Sequence, residues 1–447
     1  MSLAVVILAA GKGSRMKSAL PKVLHEIGGR TLLAHTIAAA QRLSPDQLVI
    51  VTGHAGERVA SEAKLHSEAA VIVHQDDQLG TAHAVDMART ALADHSGYTI
   101  VLYGDSPFIQ ADTMKAMQAE CDAGASLCVL GFEAENPTGY GRLVMGENGL
   151  DAIVEEKEAN DEIRKITLCN SGVMCAKTTL MFDLIAKIDN DNAKGEYYLT
   201  DVPYFAKKAG GRCAVVTCPE AETLGIDSRA GLAKGEALFQ AKARSAAMAS
   251  GVTLRDPETA YFSFDTKLGQ DVVVEPYVQF LTGVHVDDAV HIKAHSVLEG
   301  CHVSTGAIVG PYARLRPGAV IGPKARIGNF VEIKNADLAA GAKINHLTYV
   351  GDATIGADAN IGAGTITCNY DGVFKHRTSI GARAFIGSNS SLVAPLNIGD
   401  DAVVGSGSVI TENVGDGDMA IGRSRQVTKK SLGKRFMDAL RAKKKEK

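Results

Sequence analysis

The sequence predicts a two-part chain: an α/β sandwich with a mostly parallel sheet, a linker helix, and a left-handed parallel β-helix built from hexapeptide repeats. Three observations carry this reading. Short apolar runs alternate with helical stretches through the first half. An Ala-rich segment follows at 228–250. Beyond it, aliphatic residues recur at every sixth position.

The first half has candidate strands at 4–8, 48–51, 71–74, 99–103 and 127–130. Helical stretches lie between them, at 31–41 and 82–93. Such alternation builds a parallel sheet covered by helices. Ligands then bind beyond the carboxyl ends of the strands, here the loops after Leu8, His74 and Tyr103. Residues 1–10 are apolar without a basic leader and run into Gly11-Lys12-Gly13. They read as a buried first strand and not as a signal peptide.

Residues 228–250 carry Ala with Lys, Glu, Gln and Arg, as one long helix ended by Gly251. The boundaries follow: 1–227, the linker 228–250, and 251–447. In the last part Leu268, Val274, Phe280, Val286, Ile292 and Leu298 are evenly spaced. So are Val303, Val309, Leu315, Ile321, Ile327 and Ile333, and again Ile380, Ile386, Leu392, Ile398, Val404 and Ile410. Neither a helix nor an ordinary strand has period six. A triangular coil does, with one inward aliphatic per side. The spacing breaks between Ile361 and Ile380, where a polar stretch from Thr367 to Arg377 does not fit the coil. It predicts a projecting loop on a binding face. The tail 429–447 is strongly basic and reads as a solvated helix or a disordered end.

The chain of 447 residues exceeds one ordinary core, at roughly 150 residues per domain. A formal net charge of −4 argues against a nucleic-acid partner. No run approaches the roughly 18 apolar residues of a membrane span, so no membrane insertion is expected. The eight cysteines form no C-x-x-C pair, which disfavours thiolate metal sites and fits a reducing cytoplasm.

The loop Leu8-Ala9-Ala10-Gly11-Lys12-Gly13-Ser14-Arg15-Met16, with Pro21-Lys22, follows a strand. Its glycines let backbone N–H groups approach phosphate, and Arg15 and Lys22 add positive charge. It is neither a Walker loop nor the dinucleotide fingerprint, since Met16 stands where the third Gly belongs. Further pieces come in order: Gln75-x-x-Gln78-Leu79-Gly80-Thr81, Tyr103-Gly104-Asp105, Pro137-Thr138-Gly139-Tyr140-Gly141-Arg142, Glu155 and Asn170-Ser171-Gly172.

In this register the first half resembles the sugar-1-phosphate nucleotidyltransferases, a Rossmann-like fold. With the hexapeptide half, nearly the whole chain resembles the bacterial bifunctional N-acetylglucosamine-1-phosphate uridylyltransferase/glucosamine-1-phosphate N-acetyltransferases. That resemblance implies acetylation of glucosamine-1-phosphate by acetyl-coenzyme A. Transfer of UMP from UTP to N-acetylglucosamine-1-phosphate follows, supplying peptidoglycan and lipopolysaccharide precursors. It also implies a homotrimer.

The resemblance assigns residues as follows. Arg15 and Lys22 act on the phosphates, with Leu8, Ala9, Ala10, Gly11, Tyr103 and Gly104 among the nucleotide contacts. Gln75, Gly80 and Thr81 read the uracil. Gly141, Glu155 and Asn170 hold the acetylated sugar. Asp105 ends a strand and holds Mg²⁺. The family's second ligand is an Asn in Gly-Val-Asn, but this chain has Gly225-Ile226-Asp227, whose carboxylate a hard cation tolerates.

Acetyl transfer to an amine needs a general base, and histidine suits that near neutral pH. His346 matches the family's base, with Tyr349 three residues on. Arg316 and Lys334 match contacts to the sugar phosphate, and Asn360 a contact to the sugar. Ala363, Asn369, Tyr370, Ser388, Ser406 and Arg423 match the acetyl-coenzyme A site. Some members have Ala where Ser406 stands.

Two other readings compete. One is a single-activity sugar nucleotidyltransferase with a regulatory or structural β-helix. It gives no reason for His346, Tyr349 and Asn369-Tyr370 to occur together. The other is a non-enzymatic scaffold, which predicts decay of the loop from Gly11 to Lys22. That loop is intact.

Overall fold

The computed structural model describes residues 2–192 and 195–445. The chain divides into two compact units, Met1–Ala243 and Arg244–Lys447.

The first unit is built on a nine-stranded sheet. Its main path runs Cys213–Cys218, Leu127–Glu133, Leu168–Lys177, Tyr98–Tyr103, Leu3–Ala9, Gln47–Thr52, Val71–His74. Leu3–Ala9 pairs in parallel with both Gln47–Thr52 and Tyr98–Tyr103, which aligns the ends of three strands. Leu3–Ala9 is buried on both faces. Val5 and Ile7 join one core layer, and Ala4, Val6 and Leu8 the other. Burying such a side chain stabilises by roughly 1.5–3 kcal/mol. Thr31 caps the helix Leu32–Gln41, its side chain accepting from Ala34 N at 3.1 Å.

Two features differ from the expected sheet. Leu168–Lys177 runs antiparallel between Tyr98–Tyr103 and Leu127–Glu133, and also pairs with Arg142 of the hairpin Arg142–Gly146 and Gly149–Val154. Its apolar residues are interrupted by Asn170-Ser171-Gly172, where the register shifts in a bulge. That interruption hides the strand from a reading of runs. The helix expected over 82–93 is also shorter, Thr81–Asp86, continued by turns.

The helix Arg229–Ala249 spans the expected linker, and the boundary between the units falls within it. Ser228 Oγ accepts from Gly231 N at 3.1 Å, so Ser228 supplies its N-terminal cap.

The second unit is a parallel β-helix of the expected left-handed class. One face stacks ten short strands in register, from Thr253–Leu254 to Met419–Ala420. The other two faces join into a fourteen-stranded sheet through Glu332–Leu338 and Tyr349–Ile355, which turn a corner. The period-six aliphatics point inward and are buried, except Leu268 in the first coils, which is half-buried.

At one corner Tyr277, His295, Tyr312 and Phe330 have φ of 62°, 60°, 54° and 55°. Left-handed backbone is costly for bulky side chains. Here the rings stack on successive coils with centroids 4.9, 4.7 and 5.2 Å apart. Stacking worth about 0.5–1.5 kcal/mol per pair offsets that strain.

The break in the repeat is narrower than expected. Thr367 and Cys368 belong to the strand Ile366–Cys368 and pair with Leu392 and Val393. The coil is left only from Asn369, and Thr378–Ile380 resumes it. His376 N donates to Asn369 O at 2.8 Å and closes the loop's base. Asp371 accepts from the amides of Val373 and Phe374 and pairs with His376 Nε2 at 2.7 Å. These bonds, led by His376, hold its carboxyl down to about 2. The tail forms the helix Leu432–Lys445, exposed all round; residues 446 and 447 of the expected basic tail lie outside the described residues.

Candidate functional site

In the first unit a cavity of about 260 Å³ opens at the carboxyl ends of the parallel strands. Leu8, Ala9, Ala10, Gly11, Lys22, Gln75, Gly80, Thr81, Tyr103 and Asp105 of the sequence-derived set line it. Gly13 has φ +62°, and a Cβ there would lie 2.5 Å from Lys22 Cβ, so only Gly lets the loop fold against Lys22. Lys22 is ion-paired with Asp105, and both are largely buried. Gly104 sits behind this wall, its N–H donating to Leu8 O at 2.9 Å.

The residues expected to read the uracil are held in place by internal hydrogen bonds. Gln75 is buried, its Nε2 donating to Gly80 O at 3.2 Å and lying 3.0 Å from His83 Nδ1. Thr81 Oγ1 accepts from Leu199 N at 3.0 Å. Tyr103 carries its hydroxyl toward the same region. Burial first, then the carboxylates of Asp105 and Glu155, push its pKa well above the ordinary phenol value. It therefore stays a neutral hydrogen-bonding group. Gly172, at φ +87°, lies over the Tyr103 ring, where a Cβ would come within 2.6 Å.

Gly141, Glu155 and Asn170 form a second cluster. Asn170 N donates to Gly141 O at 2.8 Å, and a Cβ on Gly141 would lie 3.5 Å from Glu155 Oε1. The bulge after Asn170 lets its Oδ1 accept from Gly172 N at 2.9 Å. Arg142, by contrast, is buried against Glu156 at 2.7 Å and serves the hairpin.

Asp227 is tied to Asp105 through its neighbour, since Ile226 N donates to Asp105 O at 2.9 Å. Ile226 itself is fully buried against Ile27 and Leu32. The Asp227 carboxylate pairs with Arg15 at 2.6 Å. Two carboxylates on a buried tether are an oxygen donor set that suits a hard divalent cation. Glu196, Gln78 and Val23 also line the cavity. Glu196 was missed in the sequence because Gly195-Glu196-Tyr197 has no repeat or charge pattern to mark it.

In the β-helix, His346 is exposed and lies one coil above Asn329, with Nδ1 2.6 Å from Asn329 Oδ1. An amide oxygen only accepts, so Nδ1 is the donor in this bond, which in the neutral ring leaves the lone pair on Nε2. Asn329 was not singled out in the sequence; counting back one coil from His346 finds it.

Lys334 pairs in register with Gly351 on the next coil. A Cβ on Gly351 would lie 2.3 Å from the Tyr349 hydroxyl and 2.9 Å from Asn369 Nδ2, so these groups converge there. Lys375, from the projecting loop, lies beside Lys334 and holds its pKa below the ordinary ammonium value. Like charges held together, with Arg316 nearby, suit an anion. Arg316 is braced by Glu332 at 2.8 Å. Asn369 is buried and bonded to the Asp352 carboxylate, which also accepts from Asn335 Nδ2 at 2.6 Å. Asn360 sits farther along the coil, paired with Lys343 and Phe385. Tyr370 is exposed on the loop.

His346, Ala363 and Ser388 lie on one ladder. The carbonyls of Asn329, His346, Ala363 and Ser388 accept from the amides of Leu347, Gly364, Asn389 and Gly407 in turn. Ser406 precedes Gly407, and a Cβ on Gly407 would lie 3.9 Å from Arg423 Cδ. The left-handed corner that carries aromatic rings below His346 carries Gly364, Asn389 and Gly407 above it. Small residues leave that edge open.

Among the described residues, no helix is long and apolar enough to cross a membrane. A MobA-like NTP transferase domain model matches residues 5–167, and a model of the hexapeptide repeat of succinyl-transferase matches residues 377–412. The bifunctional protein GlmU of Ruegeria sp. (strain TM1040) is 56% identical over 445 residues, covering 99% of each chain. The protein of the same name from Paracoccus denitrificans (strain Pd 1222) is 54% identical over 443 residues, covering 99% of this chain and 98% of its own. That of Jannaschia sp. (strain CCS1) is 53% identical over 397 residues, covering 89% and 87%.

Proposed function

Since the chain belongs to the bifunctional GlmU family, an acetyltransferase and a uridylyltransferase in one polypeptide, we propose that its two clusters of residues divide those reactions between them. Residues 1–227 carry uridylyl transfer, 228–250 link, and 251–447 carry acetyl transfer.

In the β-helix site Arg316, Lys334 and Lys375 hold the phosphate of glucosamine-1-phosphate, with Tyr349 and Asn360 on the sugar. His346 Nε2 takes the proton from the amine as nitrogen attacks the thioester carbonyl of acetyl-coenzyme A. The N–C bond forms, the C–S bond breaks, and the thiolate leaves with coenzyme A. Ala363, Asn369, Tyr370, Ser388, Ser406 and Arg423 hold the donor along the open edge. The observation that carries this reading is the shared ladder of His346, Ala363 and Ser388.

In the first unit Gln75, Gly80 and Thr81 hold the uracil of UTP. Gly141, Glu155 and Asn170 hold N-acetylglucosamine-1-phosphate. An oxygen of the sugar phosphate attacks the α-phosphorus, and pyrophosphate leaves against Arg15 and Lys22. Asp105 and Asp227 would hold Mg²⁺, which supplies charge neutralisation for the triphosphate.

The family resemblance implies a homotrimer, which is consistent with closed cyclic symmetry. The free state of all eight cysteines favours a cytoplasmic location, where the product would serve peptidoglycan and lipopolysaccharide synthesis. The test is an assay of purified protein with glucosamine-1-phosphate, acetyl-coenzyme A, UTP and Mg²⁺, each omitted in turn. UDP-N-acetylglucosamine should form only from the full set. Its formation without acetyl-coenzyme A would overturn the acetyltransferase assignment.

A further inference from the structure

His285 and His302 occupy matching positions on successive coils of the β-helix, paired in register on a different sheet from the His346 strand. Their rings lie 5.0 Å apart, tilted by 35°. Asp287 is two residues beyond His285, so the period of two sends both side chains to the same outer face. Asp287 Oδ1 lies 2.9 Å from His302 Nε2 and 3.6 Å from His285 Nε2. All three ligand atoms are within 4.8 Å of one another.

We propose that His285, Asp287 and His302 bind one divalent transition-metal ion of the Zn²⁺ class, clasping two adjacent coils. Metal–ligand bonds of about 2.0–2.2 Å in a tetrahedron place ligand atoms roughly 3.3 Å apart. The 2.9 and 3.6 Å separations bracket that value, so small side-chain rotations on a rigid ladder complete the site. Two imidazoles with one carboxylate prefer Zn²⁺ over Mg²⁺, which favours all-oxygen ligands. The ion is therefore distinct from the one assigned to Asp105 and Asp227. Binding exchanges the His302–Asp287 hydrogen bond for two metal bonds, and a fourth position stays open to water. Along the same column the flanking residues are Lys267 one coil earlier and Val320 one coil later. Neither supplies a competing ligand, and the exposed Lys267 side chain extends into solvent. Each coil of a solenoid is held mainly by its neighbours, so a bridge between two coils acts directly on the stability of that segment.

The test uses the full chain, stripped with chelator and titrated with Zn²⁺ in excess Mg²⁺, which occupies the oxygen site. Bound metal is counted after gel filtration, and Co²⁺ is followed in parallel by its visible absorption. The parent should retain one Zn²⁺ more per chain than His302→Gln or His285→Gln. Its thermal unfolding midpoint should rise with Zn²⁺, while those of the two variants stay put. His291→Gln, at a separate His–Glu pair, should behave as the parent. Circular dichroism of the variants checks that these substitutions, one at an exposed and one at a half-buried position, leave the coil folded. Equal Zn²⁺ retention by parent and variants, or none by the parent, overturns the proposal.

Discussion

The Arg15 guanidinium lies 2.6 Å from the Asp227 carboxylate, beside the pair of Lys22 with Asp105. Each carboxylate proposed to face the metal is thus matched with a cation proposed to face phosphate. Arg15 is largely exposed, so its pair is worth only about 0–1 kcal/mol and yields readily to a metal ion. Asp227→Asn removes a charge but keeps an oxygen. It should retain uridylyl transfer and raise the Mg²⁺ concentration for half activity. Asp227→Ala should cost far more. Ser228 supplies the helix cap, so neither variant should lose much thermal stability. A Mg²⁺ titration of both, with unfolding curves, checks this. An unchanged Mg²⁺ dependence in the Asn variant would remove Asp227 from the metal site.

His346→Ala should lower acetyl transfer by roughly 10²–10⁴-fold, the usual range for a general base, and spare uridylyl transfer. Asn329→Ala should cost less and shift the pH profile of kcat, because the ring loses the partner that fixes its tautomer. Separate assays of the two reactions decide this, and equal loss of both would defeat the two-site assignment.

EDTA should stop uridylyl transfer and leave acetyl transfer running. Asp105→Ala should mimic EDTA for the first reaction alone. Acetyl transfer that stops in EDTA would place a required metal in the β-helix.

Asp352 is buried, which pushes its pKa up, yet hydrogen bonds from Asn335 and Asn369 and the charges of Lys334 and Lys375 outweigh this and hold it low. A carboxyl depressed in the folded state adds stability above its unfolded value, about 3.9, and loses it as pH falls through the folded value. Asp352→Asn should therefore unfold more easily at neutral pH, and its deficit against the parent should close below about pH 3.9. Denaturant midpoints at several pH values measure this. A deficit constant with pH would mean that shape, not charge, is what Asp352 supplies.

Gly80 has φ +117°, and a Cβ there would lie 2.5 Å from Tyr197 O. Gly80→Ala should destabilise by more than about 1 kcal/mol and raise the KM for UTP. Calorimetry with initial rates tests both parts; an unchanged KM would separate Gly80 from the nucleotide.

The β-helix was legible because one inward residue per side writes its period directly into the sequence. The loop from Leu8 to Lys22 was legible because glycine and cation spacing is local. The antiparallel strand Leu168–Lys177 was not, since its bulge breaks the apolar run that would announce it. Thr367 was read as part of the insertion because it is polar, yet it takes an inward, buried place on the coil. Asn329, Asp352 and Lys375 matter through partners a coil or more away, and such vertical neighbours emerge only once the coil length is known.

The solenoid ends on Met419–Ala420, with Met419 and Ile421 largely exposed, whereas the coils around His346 have neighbours above and below. A terminal coil has only one neighbour, so it opens at lower free energy than interior ones. Amide hydrogens should therefore exchange fastest near Ser406 and Arg423 and slowest around Ile333 and Ile344. Fraying is then graded: the terminal coils assigned to the acetyl donor breathe, while the interior coils assigned to the amine acceptor stay taut.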